Sequence, residues 1–240
     1  MNWNAARYDR WFETPEGRFA FAAERRLLEA MVAGWPRRGK TLLEVGCGTG
    51  LFLELLYHTG FDVTGVDRSE AMVAAARDRL GKRADIQVAN GESLGFCDNE
   101  FDYVVLWSVL EFCDDPLGAL REAARVAARG VLVGFLNRWS LYWLSHGRNR
   151  PGRTLGQARW FSWPEMRRMA EQGLGRPPRY ARSVLPGPTA TWRDAAPWKY
   201  LNAPLYPVCL GAFAALRVDY VDEKPLTPVG SLKIEPAGLG

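Results

Sequence analysis

Three glycines at alternate positions, Gly46, Gly48 and Gly50, separate an apolar run, Thr41-Leu42-Leu43-Glu44-Val45, from a helical stretch that continues through Tyr57. Glycine tolerates positive φ and lets a ligand come close to the backbone, so a strand, glycine turn and helix in this order form a ligand cradle. Two acids frame the cradle. Glu44 stands at its mouth, and Asp67 closes a second apolar run 23 residues further on. A carboxylate at that spacing can accept hydrogen bonds from both hydroxyls of a ribose.

The glycine spacing is G-x-G-x-G. A dinucleotide fingerprint would place Gly or Ala at position 51, which is Leu51. Glu44 would also repel a pyrophosphate, whereas it suits a cation that carries an ammonium and a sulfonium. No Cys–His or Ser–His–Asp pattern is present, and the four cysteines (47, 97, 113 and 209) include no C-x-x-C pair. With only His58 and His146 to complete a site, no metal is expected, and the cysteines read as reduced thiols.

The elements that must position these residues follow from the apolar pattern. Strands are expected at 41–45, 62–67, 85–89, 101–107 and 130–135. Helices are expected at 17–33, 51–57, 70–80 (with Ser69 as cap), 116–128 and 164–174, the last with Pro164 in its first turn. Strands alternating with helices, and strands too continuously apolar for a half-exposed sheet, imply an α/β fold with a doubly wound, mostly parallel sheet covered on both faces. Two further strands fit around 179–185 and 211–218, although 176–208 holds seven prolines and little periodicity. The tail past Lys224 reads as loose.

Five segments, in order, resemble the class I S-adenosylmethionine-dependent methyltransferases, particularly the type 11 group that includes ubiquinone and menaquinone methyltransferases. They are Leu43–Gly50, Gly65–Met72, Ala89–Phe96, Phe101–Val105 and Val109–Phe112. The resemblance implies a seven-stranded sheet with an N-terminal helical lid and a C-terminal elaboration. It implies S-adenosyl-L-methionine as cofactor, leaving S-adenosyl-L-homocysteine as product. Glu44 and the backbone of Gly46 and Gly48 would face the methionine moiety, with Cys47 and Gly50 completing the loop. Asp67 would bind the ribose, while Arg68 and Met72 flank the adenine. Asn90 stands where the group usually has an Asp that reads the adenine amino group. Gly91 would offer its N–H to the ring beside Glu92, and Trp107 and Ser108 would line the methyl-transfer side. Phe112 replaces a His common in the group.

The chain then reads as one methyltransferase domain over 1–240: an N-terminal helical segment (1–40), a cofactor-binding core (41–136) and a substrate-side insertion with the last strands (137–240). Tyr8 and Trp11 are candidates for the lid. The stretch from Arg138 to Trp163 mixes Trp139, Trp143, Trp160 and Trp163 with Arg138, Arg148, Arg150, Arg153 and Arg159. It follows the fifth strand at its carboxyl end, where doubly wound sheets bind ligands. Aromatic faces with guanidinium groups suit a flat or anionic small-molecule acceptor; the alternative is Trp covering the sheet with solvated Arg. Glu111, His146 and Tyr142 are candidate catalytic assistants, Glu111 being equally readable as a helix-start acid held by the dipole. Methyl transfer can proceed by positioning alone, so no base is required. The rival reading is a protein that binds S-adenosylmethionine or S-adenosylhomocysteine without turnover.

Composition sets the outer bounds. Hydrophobic residues make up 48% and charged residues 24%, enough for a full core. A net charge of +4 without a basic block makes nucleic acid an unexpected partner, and peripheral contact with an anionic membrane a minor alternative. Met1-Asn2-Trp3-Asn4 does not open a signal peptide, and no run reaches the ~18–20 apolar residues that span a bilayer. A cytoplasmic location is expected.

Overall fold

A computed structural model describes residues 4–147 and 158–221. The elements in chain order are α1 (Ala5–Glu13), α2 (Pro15–Val32), β1 (Thr41–Val45), α3 (Leu51–His58), β2 (Asp62–Asp67), α4 (Glu70–Leu80), β3 (Ala84–Val88), β4 (Phe101–Trp107), α5 (Pro116–Val126), β5 (Ala127–Leu136), α6 (Leu141–His146), α7 (Trp163–Leu174), β6 (Tyr180–Val184), α8 (Trp198–Asn202) and β7 (Phe213–Asp219). The seven strands form one sheet in the order β3-β2-β1-β4-β5-β7-β6. The first five are parallel; β7 runs antiparallel to β5 and to β6. This is the doubly wound seven-stranded sheet expected from the sequence.

Successive residues of a strand point to opposite faces, and the core divides accordingly. Leu42, Val63, Tyr103, Val105 and Leu132 pack beneath α2, α3 and α4. Leu43, Val45, Val66, Val104, Leu106, Val131 and Val133 pack against α5 and α7. Because both faces are covered, the central strands are apolar without alternation. The strand order reverses between β1 and β4, so the crevice outside their carboxyl ends is where such a sheet takes its ligand.

Several boundaries depart from the sequence expectation. The aromatic lead-in to the first helix is itself a helix, α1, capped by the Asn4 side chain accepting from the Arg7 N–H. The helix expected to reach Ala128 stops at Val126, and Ala127–Arg129 join β5, which is longer than expected. Ser69 occupies the N-cap position of α4 without a side-chain cap; its N–H donates instead to Asp67 Oδ1 at 2.9 Å. For α7, Ser162 and Glu165 form a capping box, with Pro164 in the first turn as expected. No helix among the described residues is long and apolar enough to cross a membrane. Arg148, Arg150, Arg153 and the tail past Lys224 lie outside the described residues.

Candidate functional site

The site grows from the ends of β1, β2 and β4. Gly46, Gly48 and Gly50 all take positive φ, at 71°, 55° and 82°. At two of them a side chain is also excluded by packing. A Cβ on Gly46 would lie 2.3 Å from Val109 Cγ2, and one on Gly50 would lie 2.6 Å from Leu80 Cδ1. The turn is therefore compressed between the loop after β4 and the helix α4.

What this turn offers a ligand depends on where its N–H groups go. Gly46 and Cys47 donate to the Val66 carbonyl at 2.7 and 2.9 Å, and Gly50 donates to the Cys47 carbonyl at 2.9 Å. The Gly48 N–H donates to Asp67 Oδ2 at 3.0 Å. All four are bonded internally, so they are not aimed at an anion as in phosphate-binding glycine turns. The resemblance had given the backbone of Gly46 and Gly48 to the methionine moiety; their N–H groups are committed elsewhere, which leaves carbonyl and carboxylate oxygens as the groups for a ligand. Glu44 is buried and its Oε2 has no hydrogen-bond partner. Burial first, and then the charge of Asp67, hold its carboxyl well above the usual carboxylate range. Asp67 is also raised, by burial, against the lowering effect of the Ser69 and Gly48 N–H groups. A desolvated acid with a free lone pair is costly unless a cation completes it.

Of the other residues that the resemblance assigned to the cofactor, Arg68, Asn90 and Glu92 gather at one rim. The Asp114 N–H donates to Glu92 Oε1 at 2.8 Å, and Arg68 approaches Asp114 at 4.0 Å. Asn90 is exposed, and its Oδ1 accepts from the Glu92 N–H at 3.1 Å, shaping the turn that follows β3. Gly91 packs so closely on β1 that a Cβ would lie 2.7 Å from Val45 Cγ1. Met72 is buried on the inner side of α4, and Cys47 is a buried thiol raised by burial and by Glu44.

On the other side, Trp107 is buried against Phe52 and Phe213, and its indole N–H donates to Glu24 Oε2 at 3.3 Å. Glu24 comes from α2. Burial pushes its carboxyl up to about 8, with the Glu111 charge adding to the rise and the Trp107 bond opposing it. Glu111 is 3% exposed. Its Oε1 accepts from the Leu136 N–H at 2.6 Å, while its Oε2 has no partner. Burial pushes Glu111 up to about 7. It lies in the first turn of the short 3-10 helix Leu110–Phe112, as a helix-start acid would, and is at the same time a buried acid tied to the end of β5.

His146 and Tyr142 belong to an aromatic cluster. Their rings stack at 4.3 Å, Tyr142 packs on Trp160 and Trp192, and His146 Nδ1 lies 2.7 Å from Ser145 Oγ. The 158–161 segment links that cluster to the acids: the Arg159 N–H donates to the Glu111 carbonyl at 2.9 Å.

Sequence reading also missed part of the cofactor side. Asp9 of α1 accepts from the buried Thr49 hydroxyl at 2.6 Å and pairs with Arg79 of α4 at 2.9 Å; Arg79 Nε donates to the Thr49 carbonyl at 2.8 Å. This network fixes α1 over the glycine turn, with the Tyr8 ring about 4 Å from where a Gly48 Cβ would stand. Burial raises the Tyr8 phenol, and the charges of Glu24, Glu44, Asp9 and Asp67 raise it further.

Comparison with known proteins bears on this geometry. Residues 43–135 match the family model described as a methyltransferase domain, type 11. These residues form a methyltransferase domain of that family. The chain is 36% identical over 138 residues to an uncharacterised protein of Methanocaldococcus jannaschii, covering 56% of this chain and 60% of that one. It is 36% identical over 109 residues to a ubiquinone biosynthesis O-methyltransferase of Thiobacillus denitrificans, covering 43% of this chain and 47% of that one. The chain thus spans about half to three fifths of the length of these curated relatives. A solved S-adenosylmethionine-dependent methyltransferase from Thermotoga maritima shares the fold, with a TM-score of 0.71 at 24% identity over 88% of this chain and 93% of that one.

Proposed function

We propose that the protein is an S-adenosylmethionine-dependent methyltransferase acting on a small-molecule acceptor. The observation that carries this reading is the glycine turn itself. Its N–H groups at 46, 47, 48 and 50 are internally bonded, and an unpartnered buried carboxylate stands at its mouth. An acceptor-only, anionic cradle fits a ligand with an ammonium and a sulfonium and disfavours a pyrophosphate. The cofactor, when bound, supplies a methyl group on a sulfonium centre that is electrophilic without further activation.

The chain's own residues bind and orient. Glu44 is the counter-ion for the methionine end. Asp67, fixed by two backbone N–H bonds, keeps lone pairs for the ribose hydroxyls. Met72, Asn90, Gly91, Glu92 and Arg68 form the rim for the base. The α1 helix, held by Asp9, covers the turn and excludes water, which strengthens every electrostatic contact beneath it. Catalysis by positioning demands little else: nucleophile and methyl carbon held about 3–3.5 Å apart in line are worth several kcal/mol.

Calorimetry with S-adenosylhomocysteine, followed by transfer of labelled methyl into a metabolite extract, tests the reading. Binding together with incorporation supports it. Binding without incorporation into any extract would leave a ligand-binding protein without turnover, and tight binding of NAD alone would overturn the cofactor.

A further inference from the structure

Glu24 and Glu111 have no role in the cofactor cradle. They come from elements far apart in sequence, α2 and the loop after β4, yet are held at neighbouring strand ends: Glu24 accepts from Trp107, the last residue of β4, and Glu111, four residues further on, accepts from Leu136, the last residue of β5. The charge of Glu111 adds to the rise of Glu24. Neither is joined to a cation among the described residues; the influences on them are burial, the Trp107 and Leu136 N–H groups, a backbone bond at Glu111 and, for Glu24, the charge of Glu111. Uncompensated acids of this kind are expensive in a fold and are kept where a ligand completes them.

Two orphaned groups mark the same place independently. Glu111 is 3% exposed, yet its Oε2 has no hydrogen-bond partner. One residue beyond the amide that bonds the Glu111 carbonyl, Trp160 is 5% exposed with its indole N–H also unpartnered. An acceptor and a donor, both buried and both unsatisfied on adjoining segments, are what a polar ligand leaves behind when it is absent from its subsite. The pair stands at the carboxyl ends of β4 and β5, beside the crevice at the switch point.

We propose that Glu24 and Glu111 form the acceptor subsite and that the acceptor it takes is a protonated amine, bound as the counter-ion of the pair and deprotonated by it. This rests on the methyltransferase reading and narrows its substrate class. It departs from the anionic acceptor suggested by the Arg-rich stretch, since the charged groups assigned to this place are acids and the Trp160 N–H is neutral; Arg138 of that stretch pairs with Glu165. In the proton step one N–H bond of the ammonium breaks and one O–H bond forms on a carboxylate oxygen. The electron pair of the broken bond stays on nitrogen, giving the neutral amine lone pair that an N-methyl acceptor must present. Near neutral pH the two acids share a proton, so one carboxylate is available as base while its neighbour stays protonated.

Three probes with one skeleton and different heads test this: 2-phenylethylamine, 2-phenylethanol and phenylacetate, titrated into the full chain saturated with S-adenosylhomocysteine. The amine is expected to bind at least tenfold more tightly than phenylacetate. Glu24→Gln and Glu111→Gln should each shrink that ratio severalfold while leaving S-adenosylhomocysteine affinity within about twofold. Glu24→Gln, at a half-buried position, keeps the test alive should Glu111→Gln fail to fold. Phenylacetate binding as well as the amine, an amine preference indifferent to both substitutions, or none of the three binding to the loaded protein would overturn the proposal. Failure of S-adenosylhomocysteine to bind at all would instead strike the cofactor reading on which it rests.

Discussion

At the scale of single residues, carboxylates carry the account, and burial rather than sequence neighbours sets their behaviour. Asp67 has one geometry available to it, because Ser69 and Gly48 N–H groups hold both oxygens. Asp67→Ala should weaken S-adenosylhomocysteine binding at least tenfold by calorimetry; unchanged affinity would remove the ribose assignment. Glu111 makes a prediction about stability. Its folded form binds a proton up to about pH 7, whereas the unfolded carboxylate releases it near 4.5. The folded state therefore holds more protons between those values, so the contribution of Glu111 is fully present below pH 4.5 and is lost as pH rises through 7. Denaturation of Glu111→Gln and the parent at pH 5.5 and 8.5 should show the variant gaining on the parent at the higher pH, by on the order of 2–3 kcal/mol. A gap that does not change with pH would contradict the buried, proton-holding acid. Glu44, Asp67 and the glycines were legible in the sequence because a turn and its flanking strands are local. Glu24, Asp9 and Arg79 were not, since each becomes functional only through a partner 40 or more positions away.

At the scale of elements, the glycine turn and α1 act together. The turn has positive φ at three positions and two contacts that no Cβ fits. Gly46→Ala imposes both strain and a clash with Val109, each worth about 1–3 kcal/mol, and should lower the thermal midpoint by several degrees and reduce cofactor affinity with it. The α1 helix has no fully buried residue, so the Asp9–Thr49–Arg79 network and the Phe12–Phe21 ring contact to α2 fix it in place. Asp9→Ala and Arg79→Ala should each speed dissociation of S-adenosylhomocysteine severalfold in stopped flow, and the double variant should be no worse than the sum, because the two share one network. Dissociation unaffected by either would mean that α1 does not cover the site. The strands were readable because burial on both faces makes them continuously apolar. The α5–β5 boundary was not: Ala127-Ala128-Arg129 has no strand character of its own, and it is the pairing of Ala127 with Phe101 of β4 that extends β5.

For the whole molecule, polar investment divides between the two ends of the sheet. The carboxyl end carries unpaired acids. The opposite edge carries satisfied ones: Arg217 is buried between Trp35 and Tyr180, donates to the Met31 carbonyl at 2.6 Å and pairs with Asp219, which also accepts from Trp35 Nε1 at 2.8 Å. Removing the charge with Asp219→Asn leaves a buried guanidinium uncompensated and should cost about 3 kcal/mol of stability while leaving ligand affinity unchanged. That separation of stability from binding is what the division of the sheet implies. The matched family segment, 43–135, holds the cofactor cradle and Glu111, whereas Glu24, Tyr8 and Trp160 lie outside it. Which ligand the cradle accepts is decided most directly by calorimetry of the full chain against S-adenosylhomocysteine and NAD at neutral pH. The account predicts saturable binding of S-adenosylhomocysteine, abolished in Asp67→Ala, with no heat from NAD; saturable NAD binding with none from S-adenosylhomocysteine would contradict it.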